Sequence, residues 1–115
     1  MRAGRPRRAG EGAARLTGEG ASFELRREMG CTREEFVGWL PQATRHAPLE
    51  IYRDRAVVRA GAMTVEIGFA AAPARRIALL SLPVLLVSFR ITGADADACR
   101  EFIRYFDLCT RRGGG

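Results

Sequence analysis

Apolar and polar side chains alternate in several short stretches of this chain and recur every three to four residues in two others, which sorts it into strands and helices. Phe23 and Leu25 alternate with Glu24 and Arg26, predicting a strand over 23–28 that Gly30 ends. Thr32, three residues before Glu35, forms a capping box that opens a helix with Phe36, Val37, Trp39 and Leu40 on its apolar side. Pro41 cannot donate to a helical ladder, so this helix is expected to kink or stop there, leaving 41–45 as an irregular turn. Strands follow over 49–52 and 56–59 around the polar tip Arg53-Asp54-Arg55. The cleanest alternation comes next, Met63, Val65, Ile67 and Phe69 against Thr64, Glu66, Gly68 and Ala70. After a connection over 70–74 containing Pro73, two further strands are expected over 76–82 and 84–92, turning near 81–83 beside Pro83.

The last element is an amphipathic helix capped by Asp95, with Ala98, Phe102, Phe106 and Cys109, and Cys99, Ile103 and Tyr105 beside them, expected along a broad buried stripe and Gly113 as its C-terminal cap. The order β-α-β-β-β-β-β-α predicts an α+β fold: an antiparallel meander sheet of four to six strands with two helices packed on one face. The helices should cover Val65, Ile67, Phe89 and Ile91. Arg59, Thr64, Glu66, Ser88, Arg90 and Thr92 would then lie on the opposite face, either solvated or available for docking.

Composition refines this reading at the ends of the chain. Residues 1–22 hold one large aliphatic after Met1, Leu16, among five Gly and five Arg, and are expected to be a disordered Arg/Gly-rich extension. The domain is then 23–113, with 114–115 as a flexible glycine tail. No apolar core of a secretory signal follows the basic start. The most apolar stretch, 77–91, is too short for the roughly 20 residues a bilayer requires and contains Pro83 at its middle, so a buried hairpin is expected and no membrane span. A cytoplasmic location follows from these expectations.

All 19 basic residues are Arg, against 13 acids, for a net charge of +6. Arginine suits phosphate and carboxylate recognition, yet a chain without Lys and crowded with Ala and Gly is more simply explained by coding bias. His46 is the one histidine and cannot build a multi-histidine metal site. Cys31, Cys99 and Cys109 form no C-x-x-C pair. Cys99 and Cys109 read as core or boundary residues, whereas Cys31, just before the first helix, is the candidate reactive thiol because a helix N-terminus lowers a thiol pKa. The acids at both helix starts are accounted for by capping. No phosphate-binding glycine loop or nucleophile elbow occurs, so no cofactor, metal or catalytic residue is expected.

The terminal Arg111-Arg112-Gly113-Gly114-Gly115 resembles the Gly-Gly ends of ubiquitin-like sulfur carriers. That resemblance implies a β-grasp fold whose tail leaves a strand and whose terminal carboxylate is activated, whereas this tail is expected to leave a helix. Three functions are therefore weighed. The first is a non-enzymatic interaction or accessory domain, with a protein partner or self-association, for which Trp39, Arg59, Glu66 and Arg90 are candidate contacts. The second is nucleic-acid binding through the basic arm and Arg53, Arg55, Arg59, Arg75 and Arg76, although few aromatic residues accompany those bases. The third is thiol or sulfur transfer through Cys31 or the glycine tail.

Overall fold

A computed structural model describes residues 13–17 and 20–114, which form eight elements. In chain order these are β1 (Ala13–Thr17), β2 (Gly20–Met29), α1 (Arg33–Ala43), β3 (Leu49–Ile51), β4 (Arg55–Ala60), β5 (Met63–Ile77), β6 (Leu80–Thr92) and α2 (Ala96–Gly114). The strands pair antiparallel in the order β1-β2-β6-β5-β4-β3. Strands β3 to β6 are the expected meander. The one step outside it is β2, which enters beside β6 because α1 carries the chain across the sheet before β3 begins.

Alternation along each strand decides which side chains the helices cover. Leu25, Val58, Val65, Ile67, Phe69, Leu85, Val87, Phe89 and Ile91 are buried on the helix face with Phe36, Leu40, Cys99, Ile103 and Phe106. Phe106 is the centre of this layer. Its ring meets Phe89 of β6 edge-on at 5.0 Å and Phe36 of α1 at 5.9 Å, while Phe36 reaches Phe69 of β5 at 5.3 Å. Edge and tilted contacts of this kind add to the burial of large ring area, so one residue of α2 fastens both α1 and the sheet.

Both helix starts follow the sequence. Thr32 Oγ1 accepts from the Glu35 amide and Glu35 Oε1 accepts from the Thr32 amide, while Asp95 Oδ1 accepts from the Ala98 amide. Gly93, at φ 81°, connects β6 to α2, and a Cβ there would lie 2.0 Å from the Ala62 carbonyl oxygen. Only glycine fits both the left-handed backbone and that approach.

Four expectations change. Sheet pairing begins at Ala13, inside the stretch expected to be disordered, because an edge strand requires backbone partners on β2 rather than large apolar side chains. Residues 1–12, 18 and 19 lie outside the described residues. Helix α1 continues through Pro41 to Ala43, since a proline in the last turn removes a single ladder bond and the Thr44 amide still reaches the Leu40 carbonyl. On α2 Cys99, Ile103 and Phe106 of the expected stripe are buried and Phe102, Tyr105 and Cys109 half-buried, but Ala98 is exposed, Thr110 is buried instead, and the helix runs through Gly113 to Gly114. The fourth change concerns β5 and β6. These are two long strands joined at Ala78 and Leu79, so the 70–74 connection and the turn near 81–83 are both strand.

An ion pair sits in the helix–sheet layer. Arg27 of β2 points to the helix face, where its Nη1 donates to Asp107 Oδ1 of α2 and its guanidinium lies 5.7 Å from the centre of the Phe89 ring. Its Nε and Nη2 have no hydrogen-bond partner. Removing the carboxylate strands a buried cation, which costs more than the pair itself contributes. Asp107→Ala is expected to lower unfolding free energy by about 3 kcal/mol in denaturant titration, and Arg27→Met with Asp107→Leu to recover most of that loss. An Asp107→Ala protein as stable as the parent contradicts this assignment.

Candidate functional site

The long pair β5 and β6 outruns the rest of the sheet. Pairing holds from Thr64 opposite Thr92 to Ile77 opposite Leu80. Strand β2 accompanies β6 only as far as Met29 opposite Leu85, and β4 accompanies β5 only as far as Arg55 opposite Gly68. Beyond that level two strands continue alone as an arm about 20 Å long. A two-residue turn closes it, with Ala78 at φ 55° and Leu79 fully exposed.

Register fixes the chemistry of the arm's two faces. On β6 the odd positions Leu85, Val87, Phe89 and Ile91 are buried under the helices, so Leu80, Leu82, Val84 and Leu86 lie on the outer face. Their partners on β5 include Ala70, Ala72 and Ile77. Ile77, Leu80, Leu82 and Leu86 remain 40 to 62 % exposed, whereas Leu85 next to Leu86 is fully buried. The result is a contiguous apolar stripe on a sheet face that neither helix covers. Arg75 lies on this same face, reaching back to Glu28 of β2 at 3.0 Å.

The edges of the arm are different. Register shifts between Ala72 and Arg75, so Pro73 and Ala74 bulge opposite Pro83. A proline on each strand at one level removes an amide donor from both free edges, and a bulge adds local twist. Both features oppose the pairing of another strand onto the arm. The arm thus offers side chains for contact rather than backbone.

The remaining outer face is mostly polar, with Val57 buried among its charged neighbours, and some of its charges are paired. Arg90 Nε lies 3.9 Å from Glu24, Arg59 Nη2 lies 3.7 Å from Glu50, and Glu66 stands opposite Arg90 in the register. Arg59, Glu66 and Arg90 therefore share this face, while Trp39 is half-buried on α1 in the other layer, packed against the core. Of the candidate nucleic-acid contacts, Arg55, Arg59 and Arg75 lie on the outer face at different levels and Arg76 on the other face of the arm. Arg53 and Arg55 flank the β3–β4 turn, where the Arg55 guanidinium covers the Tyr52 ring at 4.5 Å; Arg59 is at the other end of β4; Arg75 and Arg76 are on the arm.

Cys31 is buried beneath the start of α1. Burial first, and the Glu35 carboxylate second, push its pKa up to about 11, opposite to the lowering expected from its place at a helix N-terminus. Desolvation outweighs the helix dipole because the dipole acts on a thiolate that has lost its water. Cys99 is buried and also raised, chiefly by burial, and Cys109 is half-buried. His46 is exposed at φ 59°, its amide donating to the Pro41 carbonyl at 2.8 Å. Among the described residues no three His, Cys, Asp or Glu side chains are grouped to hold a metal ion, and no helix is long and apolar enough to cross a membrane. The glycine tail continues α2 to Gly114 instead of leaving a strand, and Gly115 lies outside the described residues.

The apolar stripe was present in the sequence as a strand apolar on both sides: even positions 80 to 86 together with odd positions 85 to 91. A strand with two apolar faces requires two covers, and two helices on one face supply a single one. For Cys31, the folded thiol binds its proton more tightly than the unfolded one. Its contribution to stability is complete below pH 9.0, the ordinary value, and is lost as pH rises toward about 11. Denaturant titrations of the parent and Cys31→Ala across that interval should converge at high pH, and iodoacetamide should label Cys109 before Cys31. Early labelling of Cys31 in the folded protein contradicts this. No family model, curated protein or solved structure matches this chain.

Proposed function

We propose that this chain is a non-enzymatic interaction domain that binds a protein partner through the outer face of its β5–β6 arm. The observation that carries the reading is the apolar stripe from Ile77 to Leu86, held rigidly by strand pairing on a face without helical cover. Exposed apolar patches of this kind on a folded domain are binding surfaces or aggregation liabilities, and Pro73 and Pro83 blunt the route by which exposed hairpins usually aggregate. The protein is read as acting within the cytoplasm.

Nucleic-acid binding is the less supported alternative, because Arg59 and Arg75 each face a carboxylate within 4 Å. Sulfur transfer requires a reactive thiol or an extended tail, and neither the buried Cys31 nor the helical Gly113 and Gly114 favours it.

A pull-down from source-cell extract with the tagged full chain, with and without nuclease, tests the proposal against a Leu80→Ser/Leu82→Ser protein. Retained protein should survive nuclease and fall at least tenfold with the double variant, whose circular dichroism should match the parent. Retention that nuclease abolishes, or that the variant leaves unchanged, contradicts it.

A further inference from the structure

The tip of the arm is a feature separate from the outer face assigned to a partner above, and neither use requires the other. We infer that this tip inserts shallowly into an anionic lipid surface, with Ile77, Leu79 and Leu80 at the acyl boundary and Arg75 and Arg76 at the phosphates.

Composition and exposure single the tip out. Residues 70–86 contain two arginines, one serine and no acid, and all the rest are apolar. Ile77 and Leu80 form the last pair of the ladder and are 52 and 62 % exposed, while Leu79 in the turn beyond them is exposed completely. A flat cover on the outer face would reach Ile77 and Leu80 from one side only. Leu79 lies past the end of that face, and a fluid acyl layer closes round such a tip from every direction.

The charges stand where a lipid surface would use them. Arg75 is opposite Leu82 on the outer face and Arg76 is opposite Ser81 on the other, so each face of the hairpin carries one arginine directly behind the tip. Arg76 is exposed and has no ion-pair partner among the described residues, and Arg75 meets Glu28 at 3.0 Å in a pair more than half exposed on both sides, where water weakens the attachment. At about 3.4 Å per strand residue the turn lies about 7 to 10 Å beyond these arginines, within the depth that interfacial segments reach. Their long stems can follow the tip inward while the guanidinium groups stay at phosphate level, and each adds an attraction to anionic lipid that salt screens.

The backbone limits the depth. The two outer edges of the arm carry unpaired main-chain groups, which hydrocarbon does not tolerate, so the arm rests in the interface and does not cross it. A nucleic acid would also meet both arginines, but residues 70–86 hold no aromatic ring on which a base could stack, and the leucines would stay wet.

Flotation of the full chain with phosphatidylcholine vesicles, with and without about one third phosphatidylserine, tests this. Binding should require phosphatidylserine and fall at least tenfold in Ile77→Ser/Leu79→Ser, a charge-neutral change at exposed positions whose circular dichroism should match the parent. Because a chain of +6 also adsorbs to anionic vesicles by charge alone, depth is read separately. In Leu79→Trp/Trp39→Phe the single tryptophan should shift to the blue on binding and be quenched by lipids brominated on their acyl chains. A parent that ignores both vesicles, binding that the serine variant leaves unchanged, or a tryptophan that stays unquenched overturns the inference. If vesicles are ignored while nuclease-resistant retention in the pull-down falls with Ile77→Ser/Leu79→Ser, the tip belongs to the protein partner: the lipid surface is refuted and the interaction reading stands. Insertion into vesicles with no protein retained from extract refutes the interaction reading and leaves the lipid surface standing.

Discussion

Two helices can cover only one side of a sheet, and that constraint governs this molecule. Phe106 draws α2 against both Phe36 of α1 and Phe89 of β6, so all the helical cover lies over the odd positions of β5 and β6. The even positions are left to the outer face by the pleat itself. Over most of the sheet those positions are charged or small and need no cover. Past Gly68 and Met29 they turn aliphatic, and the neighbouring strands stop. The apolar stripe is thus a direct consequence of where the helices end up, together with a β6 sequence that is apolar on both sides.

The arm also illustrates how one residue type acts differently according to its place in a sheet. In a central strand Pro83 would cost a ladder hydrogen bond, and on that ground it reads as a turn signal. At a free edge nothing is waiting for its amide. Pro73 is absorbed in the same manner by the bulge at Ala72 to Arg75. The turn forms further out, at Ala78 and Leu79, where neither Gly nor Asn announces it. The pair of prolines then leaves an arm with blocked edges and an open face, a combination that favours side-chain docking over strand addition.

Much of the architecture was legible in the residues. The alternation of Met63 to Ala70, the capping box at Thr32 and Glu35, and the Asp95 cap led to elements at those positions, and the α+β class with helices on one face followed from their order. What escaped was set by tertiary context. The β1 strand depends on β2 for its hydrogen bonds, and nothing in Ala13–Thr17 alternates strongly enough to announce it. Proline read as a breaker where edge position made it harmless. The candidate site is half visible: alternation puts Arg59, Glu66 and Arg90 on the outer face, but the stripe from Leu80 to Leu86 reads as a buried hairpin because its apolar character alone cannot tell which of two faces has a cover. The position of Cys31 at the start of α1 is legible in the sequence, yet its depth in the core, which sets its pKa, depends on residues far away in sequence.

The claim that most of this rests on is that, in a single chain, the helix side of β6 is dry and its outer side is wet. Methyl-labelled protein at high dilution, exposed to a soluble paramagnetic relaxation agent, measures that directly. The account predicts strong broadening of the Leu80, Leu82 and Leu86 methyls while those of Leu85, Val87 and Ile91 stay sharp. Equal protection of Leu82 and Leu85 at the lowest concentration would mean that the arm is already covered within its own chain, and would contradict it.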